Sequence, residues 1–298
     1  MQGAAKRCLL AILGLGASVS LVHCSSDRDA FDVSPDAAPP PVADFENATD
    51  QEAGAPEPLR DCSAENKLIY ALSQTGNELF RFDPEALTFT SIGRLRCATS
   101  AKTFSMAVDR RGTAWVEYDD GRIFRVSTTD ASCEPTSYRP GQHDFLNFGM
   151  GFAKDEGTPD GTVSETLYIA GETALGRLNT ATMEISLVGS SNPGLGELTG
   201  TGAGTLYAFL ESGNRLVRLD KVSGDILETY RPDVTIGQAW AFAQWGGDFW
   251  LFTAPFGRRS SVTRYSPTTD TSTVVIEDTG MVIIGAGSST CAPSEPPR

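Results

Sequence analysis

Few residues in this chain are equipped for chemistry, and their spacing excludes most of it. Only two histidines occur, His23 and His143, so a histidine-built metal centre has no material. No pair of the six cysteines has the C-x-x-C spacing that holds zinc or runs a dithiol reaction. Asp109, Asp119, Asp120, Asp155 and Asp160 could suggest calcium, but none lies in a D-x-[DN]-x-[DN]-G loop. They read instead as turn formers, with Asp119-Asp120-Gly121 as a hairpin turn. Glu197 and Asp144 are the carboxylates best placed to act as the pair that glycoside hydrolysis needs. No convincing third carboxylate joins them. No cofactor motif and no metal set is found, so none is expected.

The first elements to place are at the N-terminus. Lys6 and Arg7 precede an apolar run from Cys8 to Val22, CLLAILGLGASVSLV, which has signal-peptide length and is too short to span a membrane comfortably. It ends in Leu21-Val22-His23-Cys24. This resembles a bacterial lipobox, whose apolar residue three before the Cys directs lipidation of that Cys; His23 stands where a small residue is usual. Residues 25–60 are rich in Pro and Ala and carry nine acids against two bases. Such a segment cannot bury enough apolar surface to fold, and its self-repulsion extends it. The division is therefore a leader over 1–24 with Cys24 as lipid site, a disordered acidic tether over 25–60, and one folded domain over 61–298.

The folded part repeats. Ser105–Trp115 (SMAVDRRGTAW), Glu197–Tyr207 (ELTGTGAGTLY) and Trp240–Trp250 (WAFAQWGGDFW) align without gaps, each with Gly in eighth place. A Gly there supplies a turn between short antiparallel strands, because it accepts positive φ. An aromatic centres one strand of each unit: Tyr70, Trp115, Tyr168, Tyr207 and Trp250. An apolar strand with a central Arg follows, at Arg81, Arg125, Arg177, Arg218 and Arg264, spaced by 44, 52, 41 and 46 residues. That is the length of a four-stranded propeller blade. The blade arginines are expected to pair with acids between blades, such as Asp83 or Asp220, and the recurrent aromatics to pack the core rather than stack on sugars.

Five units fit between Lys67 and Cys291. The first lacks an inner strand, and the chain ends with an unpartnered one, Val282–Gly287 (VIIGAG). The fold expected is an all-β, five-bladed β-propeller with strand-exchange closure; a six-bladed propeller or a β-sandwich is the alternative. Cys62 precedes the second strand of the first blade and Cys291 follows its inner strand. Of the three pairings open to Cys62, Cys97, Cys133 and Cys291, this favours Cys62–Cys291, leaving Cys97–Cys133.

Over residues 67–291 the repeat resembles propeller proteins of the NHL, YVTN and SMP-30 kind, and with its lipobox the chain resembles an envelope lipoprotein of a predatory or soil bacterium. The resemblance implies architecture more than chemistry. SMP-30-type lactonases join a Glu, an Asn and an Asp around a metal; Glu197 and Asn147 could stand for two of these, and the third has no candidate. Loops entering the inner strands should converge on one end of the channel, where Asn147, Glu197, Gln238 and Trp240 form a polar and aromatic set suited to a small polar ligand or a peptide. The reading is a lipid-anchored binding or interaction module, with a metal-dependent lactonase or glycosidase as alternative and a pocketless envelope scaffold as a third possibility. Its partner would be a small polar ligand or an envelope protein. The net charge of −14 argues against nucleic acid and against a peripheral hold on anionic lipid, so the membrane is met only through the anchor. A monomer exported to the periplasm or outer membrane, or alternatively secreted, is expected.

Mass spectrometry of the mature N-terminus should find a diacylglycerol-modified Cys24 as the first residue. A chain beginning elsewhere with an unmodified Cys24 would refute the lipobox reading.

Overall fold

The repeat signature has a direct structural meaning. In the computed structural model, which describes residues 62–157 and 163–296, each blade aromatic lies opposite its blade arginine across one strand pair: Tyr70 and Arg81, Trp115 and Arg125, Tyr168 and Arg177, Tyr207 and Arg218, Trp250 and Arg264. The leader, Cys24, the acidic tether and Asp160 lie outside the described residues.

Blade 1 takes β1 (Ile69–Ser73), β2 (Glu78–Asp83) and β3 (Thr88–Arg94). Blade 2 takes β4 (Thr103–Val108), β5 (Thr113–Tyr118), β6 (Ile123–Ser127) and β7 (Cys133–Pro135). Blade 3 takes β8 (Gly149–Lys154), β9 (Glu165–Ala170), β10 (Leu175–Leu178) and β11 (Ile185–Leu187). Blade 4 takes β12 (Gly196–Gly200), β13 (Leu206–Leu210), β14 (Arg215–Leu219) and β15 (Ile226–Tyr230). Blade 5 takes β16 (Ala239–Trp245), β17 (Asp248–Ala254), β18 (Ser261–Ser266) and β19 (Thr271–Ile276). The last strand, β20 (Ile283–Ser288), returns to blade 1 and pairs antiparallel with β1, giving the order β20-β1-β2-β3. The fold is thus a five-bladed β-propeller closed by strand exchange.

The core is five wedges rather than one mass. Each apolar cluster fills the gap between two adjacent blades, and each contains or contacts one blade aromatic. Tyr70 packs between blades 1 and 2, Trp115 between 2 and 3, Tyr168 between 3 and 4, Tyr207 between 4 and 5, and Trp250 between 5 and 1. The arginines share the sheet face of their aromatics. Arg125, Arg218 and Arg264 pair with Glu134, Glu228 and Asp248 of their own blades. This corrects the expected inter-blade pairing. Asp83 and Asp220 instead accept backbone N–H bonds in the turns that follow β2 and β14. Arg177 reaches a neighbouring blade, donating to the Lys221 carbonyl at 2.6 Å with its guanidinium 5.6 Å from the Tyr168 ring.

The inner strands β4, β8, β12, β16 and β20 converge on the axis, where small residues are obligatory. A Cβ on Gly149 would come within 2.1 Å of the Gly196 carbonyl. The gapless repeat alignment is corrected here by one residue. In blades 2 and 4 the inner hairpin closes through a three-residue loop with a single left-handed Gly, Gly112 or Gly204, whereas blade 5 uses the two-residue loop Gly246-Gly247, both at positive φ. The shorter loop moves β16 along by one position. Ala241, not Trp240, is therefore the counterpart of Ser105 and Glu197.

Beyond β20 the chain lies across the far end of the axis. The Gly246 N–H donates to the Pro293 carbonyl at 2.7 Å, and Thr290 Oγ1 donates to Glu165 Oε2 at 2.6 Å. Cys291 bonds to Cys62 with a Cα–Cα distance of 5.4 Å, and Cys97 bonds to Cys133, linking blade 2's outer strand to the segment after β3. Two disulfides fit an extracytoplasmic, oxidising location. Among the described residues no helix is long and apolar enough to cross a membrane.

The Cys62–Cys291 bond closes a loop with a sequence separation of 229, against 36 for Cys97–Cys133. Loop-closure entropy assigns about 5 kcal/mol to the first and about 4 kcal/mol to the second. Urea unfolding of Cys62→Ser/Cys291→Ser and Cys97→Ser/Cys133→Ser should show the larger loss for the first pair. The reverse order would remove the ring-closing bond from its principal role.

Candidate functional site

The starts of the inner strands form one end of the channel, and a small pocket of about 30 Å³ opens there. Every inner strand contributes to its wall: Phe104 from β4, Gly149 from β8, Glu197 from β12, Trp240 from β16 and Ile284 from β20. Two of these residues are displaced from the regular ladder. Ser105 pairs with Glu117 and Thr103 with Tyr118, which leaves Phe104 as the extra residue of a bulge in β4. Leu72 pairs with Gly285 and Ser73 with Ile283, which leaves Ile284 as the extra residue in β20. A bulge re-aims the side chain it frees, and both freed side chains line this pocket.

Glu197 is the pocket's acid. It is buried, and its Oε2 accepts a 2.8 Å hydrogen bond from Ser105 Oγ. Ser105 is on blade 2 and Glu197 on blade 4, so this bond spans the axis. Ser105 pairs in register with Glu117 of β5, a second, fully buried carboxyl. One Glu117 oxygen accepts the Phe148 N–H at 3.1 Å, while Oε1 is buried with no partner among the described residues. Desolvation pushes both carboxyls well above the ordinary range, and the nearby Glu197 raises Glu117 further. Neither forms an ion pair among the described residues. The Tyr138 hydroxyl and Trp240 Nε1 are also buried without a partner among the described residues. Burial and the Glu117 charge both raise the Tyr138 phenol.

Of the four residues nominated from sequence, Glu197 and Trp240 share this pocket. Asn147 is half-buried in the segment before β8, and Gln238 is exposed, its Nε2 donating to the Arg258 carbonyl at 2.7 Å. Both precede inner strands on the same end, but neither lines the pocket. Asp144 is exposed at the end of the short helical turn Gln142–Asp144 and does not line the pocket. Glu117, Ser105, Phe104 and Ile284 were not nominated. Glu117 had a readable signal: two residues after the blade aromatic the five units carry Leu72, Glu117, Ala170, Phe209 and Phe252, a single acid among apolar residues. Among the described residues no group of three or more His, Cys, Asp or Glu side chains is arranged to hold a metal.

A third shifted acid stands at the opposite end. Glu165 accepts the Arg110 N–H at 2.7 Å and the Thr290 hydroxyl at 2.6 Å, and burial pushes it up to about 7. It also borders a groove of about 380 Å³ between blades 2 and 3, beside Trp115 and Phe152.

No protein-family model matches the chain, and no curated protein matches it. Among solved structures, it is similar to a protein of unknown function from Bacteroides caccae, with TM-score 0.45 and 9% identity over 74% of this chain and 97% of that one. A nidogen/laminin complex aligns at TM-score 0.47 and 14% identity over 79% of this chain and 83% of that one. A streptogramin B lyase aligns at TM-score 0.40 and 17% identity over 72% and 66% respectively. These likenesses are too distant to carry a site or an activity over.

The native Glu165 keeps a proton that the unfolded chain releases above its ordinary value of 4.5. Its contribution to stability is complete below 4.5 and is lost as pH rises to about 7. Across that window the wild type should lose about 3 kcal/mol relative to Glu165→Gln in denaturant unfolding. Parallel stability curves for the two proteins would mean that this carboxyl titrates normally.

Proposed function

We propose that the chain is an extracytoplasmic binding module, held at a membrane by a lipid on Cys24, that takes a small ligand into the channel mouth. The observation that carries the reading is the convergence of all five inner strands on one pocket, with Glu197 as its ionisable group and the bulged Phe104 and Ile284 as its walls. A propeller that needed only a closed core has no use for two bulges and two desolvated carboxyls at its axis. Burying a carboxyl without a charge partner is costly, and such costs concentrate where a ligand is met. Among the described residues the tail crosses the opposite end of the axis and none crosses the mouth. The acidic tether after Cys24 gives the domain reach from a membrane surface. A binding role is favoured over hydrolysis because the pocket offers one lining carboxyl and apolar walls, and among the described residues no group of three His, Cys, Asp or Glu side chains is arranged to hold a metal.

A thermal-shift screen of the full-length protein against amines, carboxylates, amino acids, sugars and alcohols should yield a class that raises the melting temperature. Ile284→Trp, which fills the pocket from its wall, should abolish that shift without lowering the unliganded melting temperature by more than a few degrees. Shifts that survive in Ile284→Trp, or no shift from any class, would overturn the channel mouth as the binding site.

A further inference from the structure

The lining of the mouth is selective in charge as well as in size. Its walls are aromatic or aliphatic, from Phe104, Trp240 and Ile284, and its ionisable group is the Glu197 carboxyl. Oε2 of that carboxyl is held by Ser105, and Oε1 has no hydrogen bond to a described residue. Behind it lies Glu117, with a fully buried oxygen that also has no partner among the described residues. Two carboxyls share one desolvated region with no Lys, Arg or His paired to either among the described residues.

We propose that this pocket binds a small organic monocation, an alkylammonium head resting on Glu197 beside the Phe104 and Trp240 rings, with its apolar remainder toward solvent. This rests on the channel mouth being the binding site and adds the chemical class of its ligand. Four physical arguments converge. Aromatic faces attract a cation, most strongly where water is excluded. A cation offsets the cost of ionising a buried carboxyl, which nothing else in the pocket does. A volume of about 30 Å³ admits on the order of two water molecules at 10–15 Å³ each, enough for an ammonium or methylammonium head and no more. An anion would meet the Glu197 carboxyl with Glu117 behind it, and a hard divalent ion would find one lining carboxyl where it needs six or more oxygens. Before a cation binds, a proton on Glu197 takes the place of that charge, in keeping with the upward push that burial gives this carboxyl. Ligand binding then displaces a proton from the carboxyl to solvent.

Isothermal titration calorimetry on the full-length protein, at fixed ionic strength, compares three probes of similar size: n-butylammonium, n-butanol and n-butyrate. Only n-butylammonium should saturate. Its apparent affinity should rise with pH, by up to about tenfold per unit while the carboxyl is protonated, and buffers of different ionisation enthalpy should report proton release. Glu197→Gln should weaken binding at least tenfold and remove the pH dependence. The pH series on the wild type tests the same point without a variant. If n-butanol binds as tightly as n-butylammonium, the charge selectivity is wrong and the pocket reading survives. If n-butylammonium does not bind but another class shifts the melting temperature of the wild type and not of Ile284→Trp, the cation class alone is overturned. If no class behaves so, both fall.

Discussion

Everything in this molecule depends on the pairing of β20 with β1. A ring of five wedges has an apolar face on each side of every blade, and those faces are covered only if the circle closes. Without β20, blade 1 would lose its inner strand, the wedge beside Trp250 would open, and the bulged Ile284 would leave the pocket. The Cys62–Cys291 bond secures the same seam covalently, and the tail beyond it covers the far end of the axis. Closure, core and pocket are thus aspects of one contact between the two ends of the domain.

The same crowding that demands glycine on the axis shapes the candidate pocket. Five strands meeting at one line leave little room for water, so a polar group placed there is desolvated. Glu197 reaches across the axis to Ser105, and Glu117 stands behind it on the next strand of blade 2. Neither would be unusual on a blade's outer strand, where Glu134 and Glu228 are exposed and satisfied by arginines. Position in the ring, more than residue type, gives the pair its chemistry.

Much of this was legible in the amino-acid sequence because a repeat multiplies weak signals. One aromatic and one arginine say little; five such pairs at blade spacing give the blade count, and they proved to be direct cross-strand partners. The unpartnered VIIGAG strand gave the closure, and with it the cysteine pairing. The candidate pocket was legible only in part. Glu197 and Trp240 were found as residues entering inner strands, but bulges leave no mark in a pattern of apolar residues, so Phe104 and Ile284 were hidden. The two-residue Gly246-Gly247 loop shifted blade 5 by one position, which a gapless alignment cannot register. The partners of the arginines were misplaced for a related reason: the sequence shows which charges exist, while the register of the outer strands decides which ones face each other.

The far-end disulfide also determines how the domain would bear tension. A pull from the N-terminal side reaches Cys62 before the first strand. There it divides between the backbone leading to β1 and, through the bond, the backbone leading back to β20. Because the two strands are antiparallel and joined at the same end, both are drawn in the same direction. The seam is therefore not pried apart rung by rung from that end, as it would be if the force entered through one strand alone.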